Sequence, residues 1–528
     1  MFDEKIYIYD TTLRDGAQGL GSSWTLEDKI RITHVLDEFG IDYIEGGWPG
    51  SNPKDKEYFD RMKNIRLNHA KLVAFGSTTR AEKKPGDDPQ IKELLDSQTQ
   101  VITIYGKSWT LHVEKVIKTT LNENLRMIRE TVDFLKKEGR EVIFDAEHFF
   151  DGVKTDKDYA FLCIQSALEG GADWVVLCDT NGGSIPNFIF QTVKEVRERF
   201  PSIKIGIHAH NDLDLAVSNS LNAVLAGARQ VQGTINGLGE RCGNANLTSI
   251  IPILKFKLGF KISQDVSKLK HVSDIIWEFS NISPPKNQPF VGESAFAHKG
   301  GVHIDAIMKD MSSYEHMNPE LVGNSRKVVI SDLAGKTAIR IRLEQLGFEP
   351  DDEIVRRILS KVKELERDGY DFEVADASLD LLILQELGRR PKFFDVDTFT
   401  VSIYRSKDED THCMATVKIK VGEVLEHTAS DGNGPVNALD RALRKALEKF
   451  FPEIKEMELS DFKVRVVSGS QGTGAKVRVF VESRDKNSRW GSVGVSENII
   501  LASWKSLIDA IEYKLAKERG IFSKNKGN

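Results

Sequence analysis

The sequence predicts an α/β protein: a closed (β/α)8 TIM barrel, a helical connector, and a C-terminal α+β regulatory domain built from two copies of a βββα unit. Three observations predict it. Strand-like and helix-like segments alternate eight times through the first half of the chain, the alternation stops beyond Lys257, and a pattern of strands leading into a helix occurs twice after Phe393. A chain of 528 residues is too long for one ordinary core. The expected division is 1–260 for the barrel, 261–390 for the connector, 391–520 for the regulatory domain and 521–528 for a tail.

In the barrel, candidate strands end near Tyr9, Glu45, Phe75, Tyr105, Asp145, Cys178, Ile207 and Ile235. Helix signals lie between them: Thr25 is placed as an N-cap with Asp28 three residues on and Gly40 closing the helix, and 122–139 is a second long helical stretch. An open doubly wound sheet is the competing reading. No glycine-rich dinucleotide fingerprint follows the first strand, however, and polar clusters recur after many strands, as a ring of loops at one end of a barrel requires.

Helical periods at 266–281, 336–346, 352–368 and 374–387 mark the connector, interrupted by the proline-rich loop 283–289. In the last part, strands at 399–403 and 414–419 lead to a helix at 436–450, and strands at 462–467 and 476–482 lead to a helix at 500–515. Ala438, Leu443 and Ala446 of the first copy are answered by Ala502, Leu507 and Ala510 of the second. No catalytic-type cluster of carboxylates or histidines falls there, so regulation or assembly is the expected task, with a purely structural dimerisation module as the alternative.

Composition narrows the function. With 40% hydrophobic and 29% charged residues the chain is of soluble globular type. Its net charge of −6 argues against nucleic acid or an anionic membrane as the main partner. Cys163, Cys178, Cys242 and Cys413 show neither close pairing nor zinc-ribbon spacing, and no signal peptide or long apolar run occurs, which reads as a reduced cytoplasmic protein.

Four motifs carry the chemistry. The run 10–18 follows the first strand, so Arg14 and Asp15 stand where barrel enzymes collect their chemistry; Asp15 suits a metal and Arg14 a carboxylate, unless the two merely satisfy each other. His208 and His210, two apart on a strand, project from one side of it, as a metal pair would. Asn244, in the turn 239–244, offers an amide oxygen. In a closed barrel the first strand neighbours the eighth, so Asp15, His208, His210 and Asn244 converge. The fourth motif, 297–305, combines His298 and His303 with a Gly pair and is followed by Tyr314. It reads as a lid or a contribution from a partner subunit, or as a glycine-rich turn with solvated histidines.

These four stretches resemble the motifs of the 2-isopropylmalate, homocitrate and citramalate synthase family, and the resemblance covers nearly the whole chain, including a C-terminal part similar to the amino-acid-sensing domain of the leucine-pathway members. Residues 46–55 and 490–498 most resemble the citramalate-forming members, which condense acetyl-CoA with pyruvate. The resemblance implies a Claisen-type condensation of these two, then thioester hydrolysis to citramalate and CoA, in isoleucine biosynthesis. It implies a divalent ion (Mn²⁺, Mg²⁺, Zn²⁺ or Co²⁺) at Asp15, His208 and His210, with Asn244 at the additional position. Arg14 then neutralises charge on the ketone oxygen, Glu147 and Thr180 contact the keto acid, and Glu240 and His303, with Tyr314 nearby, form the acid/base machinery. The rings of Phe75 and Tyr105 are expected to shorten the pocket in favour of pyruvate over the 2-ketoisovalerate of 2-isopropylmalate synthases, unless both simply fill the core. A homodimer inhibited by isoleucine completes the expectation. A metal-dependent lyase on the same barrel and a non-catalytic amino-acid sensor are the readings from other classes. Lyases of this kind typically lack the duplicated module, and a dead sensor would have lost Arg14, Asp15 or the His pair.

Overall fold

The structure is a computed structural model, and it describes residues 4–331, 333–405, 412–467 and 474–522. It divides into two compact units, Met1–Phe296 with Met317–Ser325, and Ala297–His316 with Arg326–Asn528.

The first unit is the barrel. Its strands are β1 (Tyr7–Asp10), β2 (Tyr43–Gly47), β3 (Lys71–Ser77), β4 (Val101–Lys107), β5 (Glu141–Glu147), β6 (Trp174–Asp179), β7 (Ile205–Ala209) and β8 (Gln230–Gly233). All are parallel, and β1 pairs with β8 through Tyr7 to Asp10 against Gln230 to Gly233, which closes the ring. The period of two along each strand sorts the side chains. Tyr9, Tyr43, Val73, Val101, Ile143, Trp174, Val176 and Cys178 form a cluster of their own. The intervening residues, such as Ile8, Ile44, Ala74 and Ile102, belong to the larger core with the surrounding helices. Higher on the inward set the character changes to polar: the Gln232 amide on β8 donates to Asp145 on β5 at 3.1 Å, a contact that can form only across the interior. All strand ends fall within two residues of expectation: β1 and β6 run one residue further, and β2, β3, β4, β5 and β7 two residues further. β8 stops two residues before Ile235, and Asn236 then takes a left-handed φ of +65° and turns the chain.

Local signals account for the helices. Thr25 and Asp28 form a reciprocal capping box at the start of Leu26–Phe39, and Gly40 ends that helix at φ +93°. The helix also organises the approach to β3. The Asp37 carboxylate accepts the N–H groups of Asn68, His69 and Ala70 at 2.8, 2.9 and 2.7 Å. Burial pushes this carboxyl up, but the three donors outweigh it and hold it below the usual carboxylate range. Asp37→Ala should therefore lower the stability of the barrel by about 2 kcal/mol, read as a lower denaturation midpoint. Because the folded pKa is depressed, the contribution is complete above pH ~4 and is lost as pH falls through the depressed value. A variant with the wild-type midpoint and the same acid limb would contradict this account.

The second unit begins with a two-residue parallel pairing of Ala297–His298 with Lys327–Val328. Four helices follow the chain: Gly301–Lys309, Lys336–Gln345, Asp352–Arg367 and Asp376–Glu386. The Gly pair does not make the turn that the composition suggested; Gly300 instead caps a helix that starts at Gly301. Two three-stranded antiparallel sheets come next, Asp395–Tyr404, His412–Val421 and Val424–Gly432, then Glu458–Val466, Val477–Arg484 and Arg489–Ser496. Each leads into a helix, Pro435–Leu447 and Ile499–Glu518. This is the duplicated βββα unit. Ala438, Leu443 and Ala446, and their counterparts Ala502, Leu507 and Ala510, are all fully buried. The second helix runs three residues past the expected end, carried by the buried Ala516 and unbroken until Gly520. The expected tail at 521–528 lies outside the described residues from 523 onward. Among the described residues, no helix is long and apolar enough to cross a membrane.

Candidate active site

The loop after β1 is fixed before any catalytic group is considered. The buried Asp10 carboxylate accepts the N–H and the hydroxyl of Thr12 at 2.9 and 2.8 Å, and the Thr12 hydroxyl oxygen accepts the Ile235 N–H at 2.9 Å. Thr11 donates its N–H to the Gly233 carbonyl at 2.8 Å. Burial pushes the Asp10 carboxyl up to about 7. Sequence reading gave Asp10 no role; here it ties the first loop to the eighth strand.

Arg14 and Asp15 leave this loop toward the barrel mouth. Arg14 Nε donates to Glu45 Oε1 at 2.5 Å and Nη1 to Asp15 Oδ1 at 2.6 Å, while the guanidinium carbon lies 3.9 Å from the centre of the Phe75 ring. Glu45, fully buried in the middle of β2, also accepts the Tyr9 hydroxyl at 2.5 Å. One cation is thus gripped by two carboxylates and an aromatic face. Burial pushes the Asp15 carboxyl up, but Arg14 and then His208 and His210 outweigh it and keep it below the usual range, whereas burial leaves Glu45 above it. Asp15 is therefore ionised at neutral pH.

The histidines complete the arrangement. His208, near the end of β7, lies with Nδ1 3.0 Å from Gln232 Oε1. That amide spends its NH₂ on Asp145, so the His208 proton sits on Nδ1 and its Nε2 lone pair faces inward. His208 Nε2 is 3.2 Å from His210 Nε2 and 3.7 Å from Asp15 Oδ2. Burial lowers the proton affinity of both imidazoles, that of His210 to about 3. His210 pairs through its backbone with Asn244, which brings the Asn244 amide into the same corner. Among the described residues no three His, Cys, Asp or Glu side chains stand pre-arranged around an ion, since Asp15 turns into Arg14 and the imidazoles meet each other. The donor set nevertheless fits a divalent cation: Asp15 Oδ2 and Asn244 Oδ1 are buried acceptors without a hydrogen-bond partner, beside two neutral imidazoles.

The other expected residues divide into four groups. Phe75 and Tyr105 stack with centroids 5.6 Å apart, and Trp48 meets both edge-on at 6.0 and 5.8 Å. Trp48 was not foreseen. It is held by its backbone N–H, which donates to Asp55 Oδ2 at 3.0 Å, and Asp55 in turn accepts Lys29 Nζ at 2.5 Å. Glu147 pairs with Lys107, and the Thr180 hydroxyl accepts the His148 N–H at 2.9 Å. Glu240 is exposed in its turn, which Arg241 anchors through Asp212 and the Thr180 carbonyl. His303 and Tyr314 belong to the second unit, where their rings stack at 4.1 Å, both exposed.

Residues 5–276 match the HMGL-like family, 290–369 a homocitrate synthase post-HMGL domain-like family and 373–515 the LeuA allosteric (dimerisation) domain. Barrel, site and appended module together define an enzyme of the condensing acyltransferase class. An (R)-citramalate synthase of Aquifex aeolicus is 56% identical over 98% of both chains, and one of Geobacter sulfurreducens 51% identical, again over 98% of both. A probable 2-isopropylmalate synthase of Archaeoglobus fulgidus stands further off, at 31% identity over 97% of this chain and 98% of its own. The chain belongs to the citramalate synthase family, a branch of the HMGL-like proteins.

Proposed function

We propose that the chain forms (R)-citramalate from acetyl-CoA and pyruvate, with catalysis in 1–260, connection through 261–390 and regulation by 391–520. The observation that carries this reading is the convergence of a guanidinium, a charged carboxylate and two neutral imidazoles under a wall of three aromatic rings.

Asp15, His208 and His210, with Asn244, would hold a divalent ion (Mn²⁺, Mg²⁺, Zn²⁺ or Co²⁺), which supplies Lewis-acid polarisation of the keto group. The remaining work falls to the chain. Arg14 cannot swing away, since Glu45, Asp15 and the Phe75 face fix it, so its charge is pre-set for an oxygen that gains charge in the transition state. Thr180 already accepts a hydrogen bond, which leaves its own proton for the keto acid, and Glu147 is the second contact. Glu240 and His303, with Tyr314, are the acid/base groups: a base takes the methyl proton of acetyl-CoA as its carbon bonds the keto carbon, and the former keto oxygen takes up a proton to become the hydroxyl. Water then cleaves the citramalyl thioester and releases CoA.

The wall of Trp48, Phe75 and Tyr105 supports pyruvate, whose methyl group is smaller than the isopropyl group of 2-ketoisovalerate. A coupled assay of CoA release should show pyruvate preferred over 2-ketoisovalerate, and preference for the larger acid would overturn the choice. Trp48→Ala should narrow the preference by about tenfold, as expected when one or two methylene volumes are at stake.

The regulatory domain supports feedback control, with a cytoplasmic homodimer as its setting. In the same assay at sub-saturating pyruvate, isoleucine should inhibit and leucine and valine should act weakly, with coupling of about 5- to 150-fold in affinity. Indifference to all three would leave the domain with assembly alone.

A further inference from the structure

His148 follows Glu147, the last residue of β5, and precedes the short helix Phe149–Thr155. Its backbone lies at φ +55°, ψ +31°, the left-handed region that few non-glycine residues occupy and that they keep only when the surroundings over-determine it. The surroundings here do so. The buried ring has Nδ1 3.2 Å from Asp151 Oδ2, and Asn181 Nδ2 donates to the same oxygen at 2.9 Å. The His112 ring lies 4.1 Å from it and the Trp109 ring 5.6 Å. Trp109 is itself tied by Nε1–H to the Thr155 hydroxyl at 3.0 Å. The helix that follows sits tight against the end of β4, where a Cβ on Gly152 would lie 2.1 Å from the Ser108 carbonyl oxygen.

The clamp has a consequence on the site side. With the backbone turned this way, the peptide between Glu147 and His148 directs its N–H to the Thr180 hydroxyl at 2.9 Å. That single peptide links the carboxylate on one strand end to the hydroxyl on the next. We infer that His148 is a positioning residue: its clamped ring holds the left-handed turn, and the turn sets Glu147 and fixes Thr180 as a hydrogen-bond donor toward the keto acid. The inference rests on the reading of Glu147 and Thr180 as keto-acid contacts.

The test uses the full-length enzyme and steady-state kinetics in both substrates. His148→Ala should raise KM for pyruvate about tenfold, with kcat within about threefold of wild type and KM for acetyl-CoA unchanged. His148→Asn should recover most of the loss, because Asn tolerates the left-handed region and its amide can bond to Asp151. Asp151→Ala, which loosens the clamp without altering the turn residue, should move KM for pyruvate in the same direction by about threefold, and it decides the matter if His148→Ala does not fold. A merely structural role lowers the active fraction but does not move KM. Thr180→Val separates the two layers: if it weakens pyruvate while His148→Ala and Asp151→Ala do not, the positioning role is overturned and the contact reading stands. If Thr180→Val leaves pyruvate affinity unchanged, the contact reading falls and the inference with it.

Discussion

Replacing Asp15 or His208 by Ala should reduce turnover by at least about 10³-fold while the barrel stays folded. The magnitude follows from the kind of interaction removed: groups that stabilise charge only in the transition state are worth about 10²- to 10³-fold each, and these two also belong to the proposed ion site. The fold should survive because little internal bonding is lost. Among the described residues Asp15 Oδ2 has no hydrogen-bond partner, and although the loss of Asp15 Oδ1 releases Arg14 Nη1, Arg14 still holds Glu45. His208 gives up one bond to Gln232. Metal content measured on the purified variants provides a readout besides turnover, and it should fall in both. Variants that keep their metal and their activity would remove Asp15 and His208 from the site.

The barrel and most of the convergence were legible because they depend on local periods. Two histidines two apart on a strand must share a side, and a ring of eight strands must bring its first and eighth ends together, so Asp15, His208, His210 and Asn244 followed from spacing and closure. The capping box of Thr25 and Asp28 and the left-handed Gly40 were equally local. What escaped was set by contacts distant in sequence. Glu45 ended a strand on paper, and only the closed barrel shows it gripping Arg14 from 31 residues away. Trp48 lies just beyond β2, and its turn toward Phe75 and Tyr105 depends on Gly47 at φ +144°, on Asp55 and on the buried Lys29 behind it. His148 was passed over for a third reason: nothing in a sequence marks a non-glycine residue held at positive φ by its neighbours' rings. In the second unit the pair Gly300 and Gly301 suggested a turn, but a helix begins there and presents His303 to Tyr314.

Arg14→Lys should also be severe, although it conserves charge. The guanidinium serves Glu45 through Nε and Asp15 through Nη1, two donors in a fixed plane, and lays that plane on the Phe75 ring. A lysine ammonium is a point charge on a flexible stem; it can satisfy one carboxylate but cannot reproduce the fork or the stacking. Turnover should therefore fall by about 10²-fold or more, with a smaller change in KM for pyruvate, because what is lost is the placement of the charge. Arg14→Ala goes further. It leaves Glu45 and Asp15 as two buried carboxylates without their cation, a loss of about 3–5 kcal/mol when one partner of a buried pair is removed. Thermal midpoints should rank wild type above Arg14→Lys and Arg14→Lys above Arg14→Ala. If Arg14→Lys turns over within about threefold of wild type, charge alone suffices at this position and the fixed geometry of the guanidinium carries no catalytic weight.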